Sequence, residues 1–163
     1  MSDPVLSAEQ REAIARAIHR GYVVAARADG QTVASNPSIV DWRDLPDTLR
    51  ESNRAQADDI IEKLATIACT IVDADRVSTP FAFSDHEVEV LARAEHERWW
   101  RDRQRDGWRL GPVKDAEHKQ HPDLVPWDDL TDAARELDRN AVRGIPAVLA
   151  AADLAIARTE ETP

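Results

Sequence analysis

The sequence predicts a mainly α fold, in which two pseudo-symmetric helix–link–helix repeats with at most short β segments pack as one domain. Three observations predict it. The stretch NPSIVDWRDL, from Asn36, returns as HPDLVPWDDL from His121, and the match runs on ungapped through DTLRESNRAQADDIIEKLA and DAARELDRNAVRGIPAVLA. Apolar residues recur at helical spacing in both copies. Each copy opens on the same start signal, Ser7-Ala-Glu-Gln10 and Ser84-Asp-His-Glu87, in which the hydroxyl and the Gln/Glu carbonyl oxygen reciprocally satisfy free N–H groups.

The first helix of each copy follows from that box. IARAIH and LARAEH align, with Tyr22 and Trp99 three residues beyond His19 and His96, and Gly107 is a stop for the second of these helices. An irregular link comes next, longer in the second copy, where it holds GWRLGPVKDAEHKQ. Pro37, Pro122 and Pro126 keep the repeated stretches extended or turned, and Trp42 and Trp127 pin them to the core. Helices resume near Asp47 and Asp132, with Thr131 as an N-cap. Gly144 and Pro146 break the last helix into a short piece and a longer alanine-rich one. LATIACTIV reads as an apolar helix holding Cys69, while the ADRVSTPFAF linker and the GWRLGPV segment are each candidates for a short strand. The modules span roughly 7–73 and 84–158, and the chain divides into a diverged repeat, 1–80, and a repeat with the full motif set, 81–163.

The 163 residues suffice for one domain or two small modules. A formal charge of −10 opposes binding to a nucleic-acid polymer but leaves room for a small anion held by a local cationic cluster. A single cysteine excludes an intrachain disulfide and four-cysteine metal sites. No signal-peptide core or membrane-length apolar run is present, so the expectation is a cytoplasmic protein without membrane association. No phosphate loop, G-x-S-x-G elbow or H-E-x-x-H helix appears, and no cofactor, metal or catalytic activity is expected.

WWRDRQRDGWR interleaves arginine with tryptophan in an acidic chain, which favours a small aromatic anion. Arg103 lies one helical turn past Trp99 and shares its face. Arg109, Lys114 and Lys119 are further candidate phosphate donors in the link. Against these stand structural readings. Trp108 follows a glycine that permits close packing. Arg98, Arg101 and Arg105 fit a solvated face beside Glu95, Glu97, Asp102 and Asp106. The equivalence of His19 and His96 argues for helix-to-link hydrogen bonds, and His121 orders the turn before Pro122 through a ring nitrogen. A metal set of Asp115, Glu117, His118 and His121 matches no strong motif.

The ordered motifs H-x-x-W, G-W-x-x-G, a following Asp, H-P-x-L-V-P and a downstream Leu and Arg are carried by His96, Trp99, Gly107, Trp108, Gly111, Asp115, His121, Pro122, Leu124, Val125, Pro126, Leu130 and Arg139. They resemble the RyR repeat of ryanodine receptors, also found in bacterial and phage proteins. The first half resembles a diverged copy, keeping His19, Tyr22, Pro37, Val40, Trp42, Leu45 and Arg54, with AARADGQ in place of G-W-x-x-G. The resemblance implies a binding module for an adenine nucleotide, the base lying between aromatics of the two first helices, here Tyr22 and Trp99, and implies sensing of nucleotide-derived signals in antiviral systems. Stacking supplies ~1–3 kcal/mol per base. The expected ligand site therefore comprises Tyr22, Trp99, Arg103, Trp108, Lys114, His121 and Arg139, with Arg103 and Lys114 on phosphate and His121 and Arg139 shaping the pocket. The chain acts as sensor or sequestering protein, signalling through an effector partner or homo-oligomer. The alternative is a protein-interaction scaffold without a small-molecule ligand.

Overall fold

A computed structural model describes residues 5–159. The architecture is mainly α: the described residues form five helices, α1 Ala8–Ala28, α2 Asp47–Thr66, α3 Asp85–Arg105, α4 Asp132–Arg143 and α5 Ile145–Ala150, with four short strands, β1 Cys69–Asp73, β2 Arg109–Leu110, β3 Gln120–His121 and β4 Leu154–Arg158. By contact, the chain divides into two compact units, one drawn from residues up to Phe81 and from Gly144 onward, the other spanning Ala82–Arg143. That division departs from the 1–80 and 81–163 halves of the duplication, whose outermost residues, 1–4 and 160–163, lie outside the described residues.

The two copies build the same local structure from equivalent residues. Both capping boxes form: Ser7 Oγ accepts from Gln10 N and Ser84 Oγ from Glu87 N, while Gln10 Oε1 and Glu87 Oε1 accept from the serine N–H groups. Both first helices end on a positive-φ glycine, Gly30 at 81° and Gly107 at 84°. The next residue closes the turn each time, Gln31 N donating to Ala26 O at 3.0 Å and Trp108 N to Arg103 O at 2.9 Å. With Gly30 N donating to Arg27 O at 3.0 Å and Gly107 N to Gln104 O at 3.1 Å, the two hydrogen bonds at each end satisfy carbonyls that a helix otherwise leaves open. One turn of 3₁₀ helix, Trp42–Asp44 or Trp127–Asp129, then leads into the second helix. Thr131 Oγ1 caps α4 by accepting from Ala134 N at 3.1 Å.

The ends of both copies depart from the expected helices. LATIACTIV is helical only as far as Thr66; Ala68 then takes a left-handed φ of 55° and Cys69 enters β1. At the equivalent place in the second copy, Asp153 has φ 57° and leads into β4, so the long alanine-rich helix is a six-residue helix followed by a strand. The physical reason is pairing. β1 and β4 are equivalent segments that pair antiparallel, with Ile71 opposite Ile156, so the strand pair itself has a local two-fold axis. Alternate residues Cys69, Ile71, Leu154 and Ile156 are buried and form part of the core with Leu64 and Leu149. The ADRVSTPFAF linker supplies no strand beyond Asp73; its start makes a 3₁₀ turn, Ala74–Arg76, whereas GWRLGPV does supply β2. Among the described residues, no helix is long and apolar enough to cross a membrane.

Candidate functional site

Each copy is held by a histidine, a tryptophan, a glutamate and an arginine. His19 Nε2 donates to Val40 O and His96 Nε2 to Val125 O, both at 2.7 Å, tying the first helix to the turn after the link. Arg54 Nε donates to Glu12 Oε2 at 2.7 Å and its guanidinium lies over the Trp42 ring at 5.7 Å. Arg139 Nε donates to Glu89 Oε2 at 2.9 Å and its guanidinium lies over Trp127, also at 5.7 Å. The arginine beside each glutamate is the main cause that holds Glu12 and Glu89 below the usual carboxylate range, with burial opposing it. Arg139, read from sequence as shaping a ligand pocket, is thus engaged with Glu89, Glu136 and Trp127. Glu12 and Glu89 themselves were not signalled by type or motif, although their matching places in α1 and α3 would have exposed them. Arg98 also departs from a solvated face: it bridges Glu95, which is buried, and the half-buried Asp102, each at 2.7 Å.

A different set gathers where α3 meets its link. Gly107 turns the chain, and β2 runs parallel to β3 with Arg109 opposite Gln120 and Leu110 opposite His121. Gly111 permits the approach, since a Cβ there would stand 2.7 Å from Gln120 Cβ. Lys119, at φ 53°, clamps the link by donating to Asp106 O at 2.7 Å and is committed to the turn. The result brings three rings together. Trp99 meets His121 edge-on, with centroids 4.9 Å apart, and Trp108 meets His121 at 6.4 Å. Both spacings lie in the range where edge-to-face aromatic contact is favourable. Trp99 also stacks on His96 at 5.8 Å, which fixes the ring against the buried end of the copy.

Positive charge borders these rings. Arg103 lies over Trp108 at 5.4 Å. Among the described residues, neither Arg103 nor Lys114 has a carboxylate partner, in a chain of net charge −10 where most arginines have one. Between Arg98 and Lys114 the sequence holds six Lys/Arg against Asp102 and Asp106. His121 feels this surrounding. Burial is the largest influence holding its pKa below the usual histidine value, Asp123 works the other way, and Lys114 and Arg103 lower it further. Its Nδ1 accepts from Asp123 N at 3.1 Å, which orders the turn before Pro122. Five of the seven residues expected at the site, Trp99, Arg103, Trp108, Lys114 and His121, thus belong to one locality of the second unit.

Tyr22 belongs to the first unit. It is 44% exposed, and its hydroxyl accepts from Asn36 Nδ2 at 2.7 Å. Asn36 is buried; its Nδ2 also donates to Gln31 Oε1 at 2.8 Å, and its Oδ1 accepts from Ser38 N at 3.1 Å. Tyr22, Gln31 and Asn36 occupy the places of Trp99, Trp108 and His121, so one geometry carries a polar set in the first copy and an aromatic one in the second. Asn36 and Gln31 carried no signal of their own in the sequence; only the alignment of the copies marks them. The acidic link residues behave as turn formers: Asp115 accepts from His118 N at 3.1 Å and from its ring Nδ1 at 2.7 Å. Among the described residues, no group of three or more His, Cys, Asp or Glu is placed to hold a metal ion.

A family model described as the RyR domain matches residues 72–158. The match covers just over half of the chain, beginning in β1 and ending with β4, so its two ends lie side by side in one strand pair. With the histidine-to-carbonyl tie and the Glu–Arg–Trp cluster repeated in both copies, the chain belongs to the RyR domain family.

Proposed function

We propose that this protein is a non-catalytic binding module for a nucleotide-derived small molecule: an adenine nucleotide, a cyclic nucleotide or an ADP-ribose-type signal. The observation that carries the proposal is the pairing of Arg103 and Lys114, cations without a carboxylate partner among the described residues, with the Trp99–His121–Trp108 cluster. Aromatic faces accept a base of any identity, and a guanidinium matches phosphate oxygens in pairs. A carboxylate-rich surface elsewhere disfavours a polyanion while leaving this locality open to a small anion. The role as sensor or sequestering protein, in antiviral defence or counter-defence, comes from the family resemblance alone. A second reading, a protein-interaction surface, is favoured by Leu110 and Val113, exposed by 59% and 64% in the same link.

Calorimetry of the full chain against AMP, ADP, ATP, cyclic nucleotides and ADP-ribose tests the proposal. Heat is expected with phosphorylated ligands and little with adenosine. Trp99→Ala weakens binding by ~1–3 kcal/mol while leaving the melting transition in place. No heat with any of them at millimolar concentration overturns it, and retention of one protein partner in the absence of nucleotide supports the interaction surface instead. Unchanged nucleotides after incubation, read by chromatography, are expected of a module that does not catalyse.

A further inference from the structure

Resting on that nucleotide-binding reading, we infer that His121 is the hydrogen-bond donor that holds an anionic oxygen of the ligand through Nε2–H, and that this donor exists in one copy only, giving one ligand per chain.

The comparison of Asn36 with His121 carries it. Both residues stand before a proline, and both accept the amide two residues on, Ser38 N or Asp123 N, at 3.1 Å. The turn bond therefore consumes Asn36 Oδ1 in one copy and His121 Nδ1 in the other. A neutral imidazole whose Nδ1 accepts must carry its proton on Nε2. In the first copy the remaining donor of the residue is spent internally, on Tyr22 Oη and Gln31 Oε1. In the second copy Trp99 and Trp108 stand in those two places and offer no acceptor oxygen. Among the described residues, His121 Nε2 has no hydrogen-bond partner. It is not a sealed atom either, since among the described residues Arg50 Nε is the buried side-chain polar atom that lacks one. The side chain keeps 18% of its surface exposed.

An open N–H donor between two indole rings, bordered by Arg103 and Lys114, is suited to a phosphate oxygen and not to a cation. Burial and the two cations favour the neutral ring, and protonation at Nδ1 would also break the bond from Asp123 N. Asp123 works the other way. His121 accordingly donates without contributing charge, which is left to Arg103 and Lys114. The same logic leaves Asn36 no amide donor for a ligand, because its Nδ2 is already matched by Tyr22 Oη and Gln31 Oε1.

Two measurements on the full chain test this. A long-range imidazole ¹H–¹⁵N correlation at neutral pH reads the tautomer directly: the Nε2–H form is expected for His121, and the Nδ1–H form overturns the proposal without any ligand. Calorimetry with ADP then compares two variants. His121→Gln places an amide donor near Nε2 and gives up the turn bond; it is expected to stay within about threefold of the parent affinity. His121→Asn keeps the turn bond but draws the donor back; it is expected to lose about tenfold or more, the loss of one hydrogen bond to a charged group. The reverse order, or full affinity in both, assigns His121 to the turn alone and overturns the inference while nucleotide binding stands. Two ADP per parent chain also overturns it. A parent chain that binds none of the nucleotide panel overturns the underlying proposal, and this inference with it.

Discussion

Glu12 and Glu89 show what a single side chain does in this duplicated architecture. Each is tied to an arginine that also covers a tryptophan, and each is held below the ordinary glutamate value of 4.5 chiefly by that arginine. A carboxylate whose folded pKa is depressed binds fewer protons than in the unfolded chain, so its contribution to stability is present above the unfolded value and is lost as pH falls through the lower folded one. Urea midpoints measured between pH 6 and pH 3 should fall steeply in the parent and less steeply in a Glu12→Gln, Glu89→Gln double variant; equal slopes would place the acid-sensitive groups elsewhere. The role of Arg139 shows how far sequence reached at this scale. Its recurrence with Arg54 was legible, but its use was not, because Glu89 lies among many acidic residues of α3 and nothing in its type distinguishes it. The histidines were clearer: residues at equivalent places in both copies, each before a proline-bounded turn, point to a shared backbone bond, and both bonds form at 2.7 Å.

At the scale of elements, the helix starts were written into the sequence and the final strands were not. Capping boxes and stop glycines announce themselves by residue type, whereas the passage from α2 to β1 and from α5 to β4 runs through Ala68 and Asp153 in the left-handed region. Neither is a glycine, so no punctuation marks the change, and an alternating apolar run of this length fits a helix as readily as a strand. The left-handed conformation disfavours a residue with a Cβ by roughly 1–2 kcal/mol, part of which glycine gives back through the entropy of the unfolded chain. Ala68→Gly should therefore raise the stability of the chain by up to about 1 kcal/mol, read as a higher urea midpoint. A lower midpoint would mean that the methyl group contributes packing that outweighs the backbone relief. The link of the second copy was legible in part: Gly107, Trp108 and Gly111 stood out, but the polar set of the first copy was visible only once its counterpart had been seen.

At the scale of the whole molecule, the duplication and the mainly α class were readable because they rest on long periodic patterns. The grouping of the chain was not readable, because it depends on one pairing between segments far apart in sequence. β1 finds its mate in β4, and the unit that contains both begins near one end of the chain and finishes near the other. Removing residues 154–163 should strip protection from the amides of β1 in hydrogen exchange while those of α3 stay protected; retained protection in β1 would show that the strand holds without its partner. The 82–143 unit is drawn from one continuous stretch of chain, whereas the unit that holds β1 is drawn from two. On a ribosome, where protein is made from the amino end, the later-written module has all of its parts first, and the earlier one must wait. Completion of the first unit thus waits on its second segment, leaving Ile71 without its strand partner until residue 156 has been made.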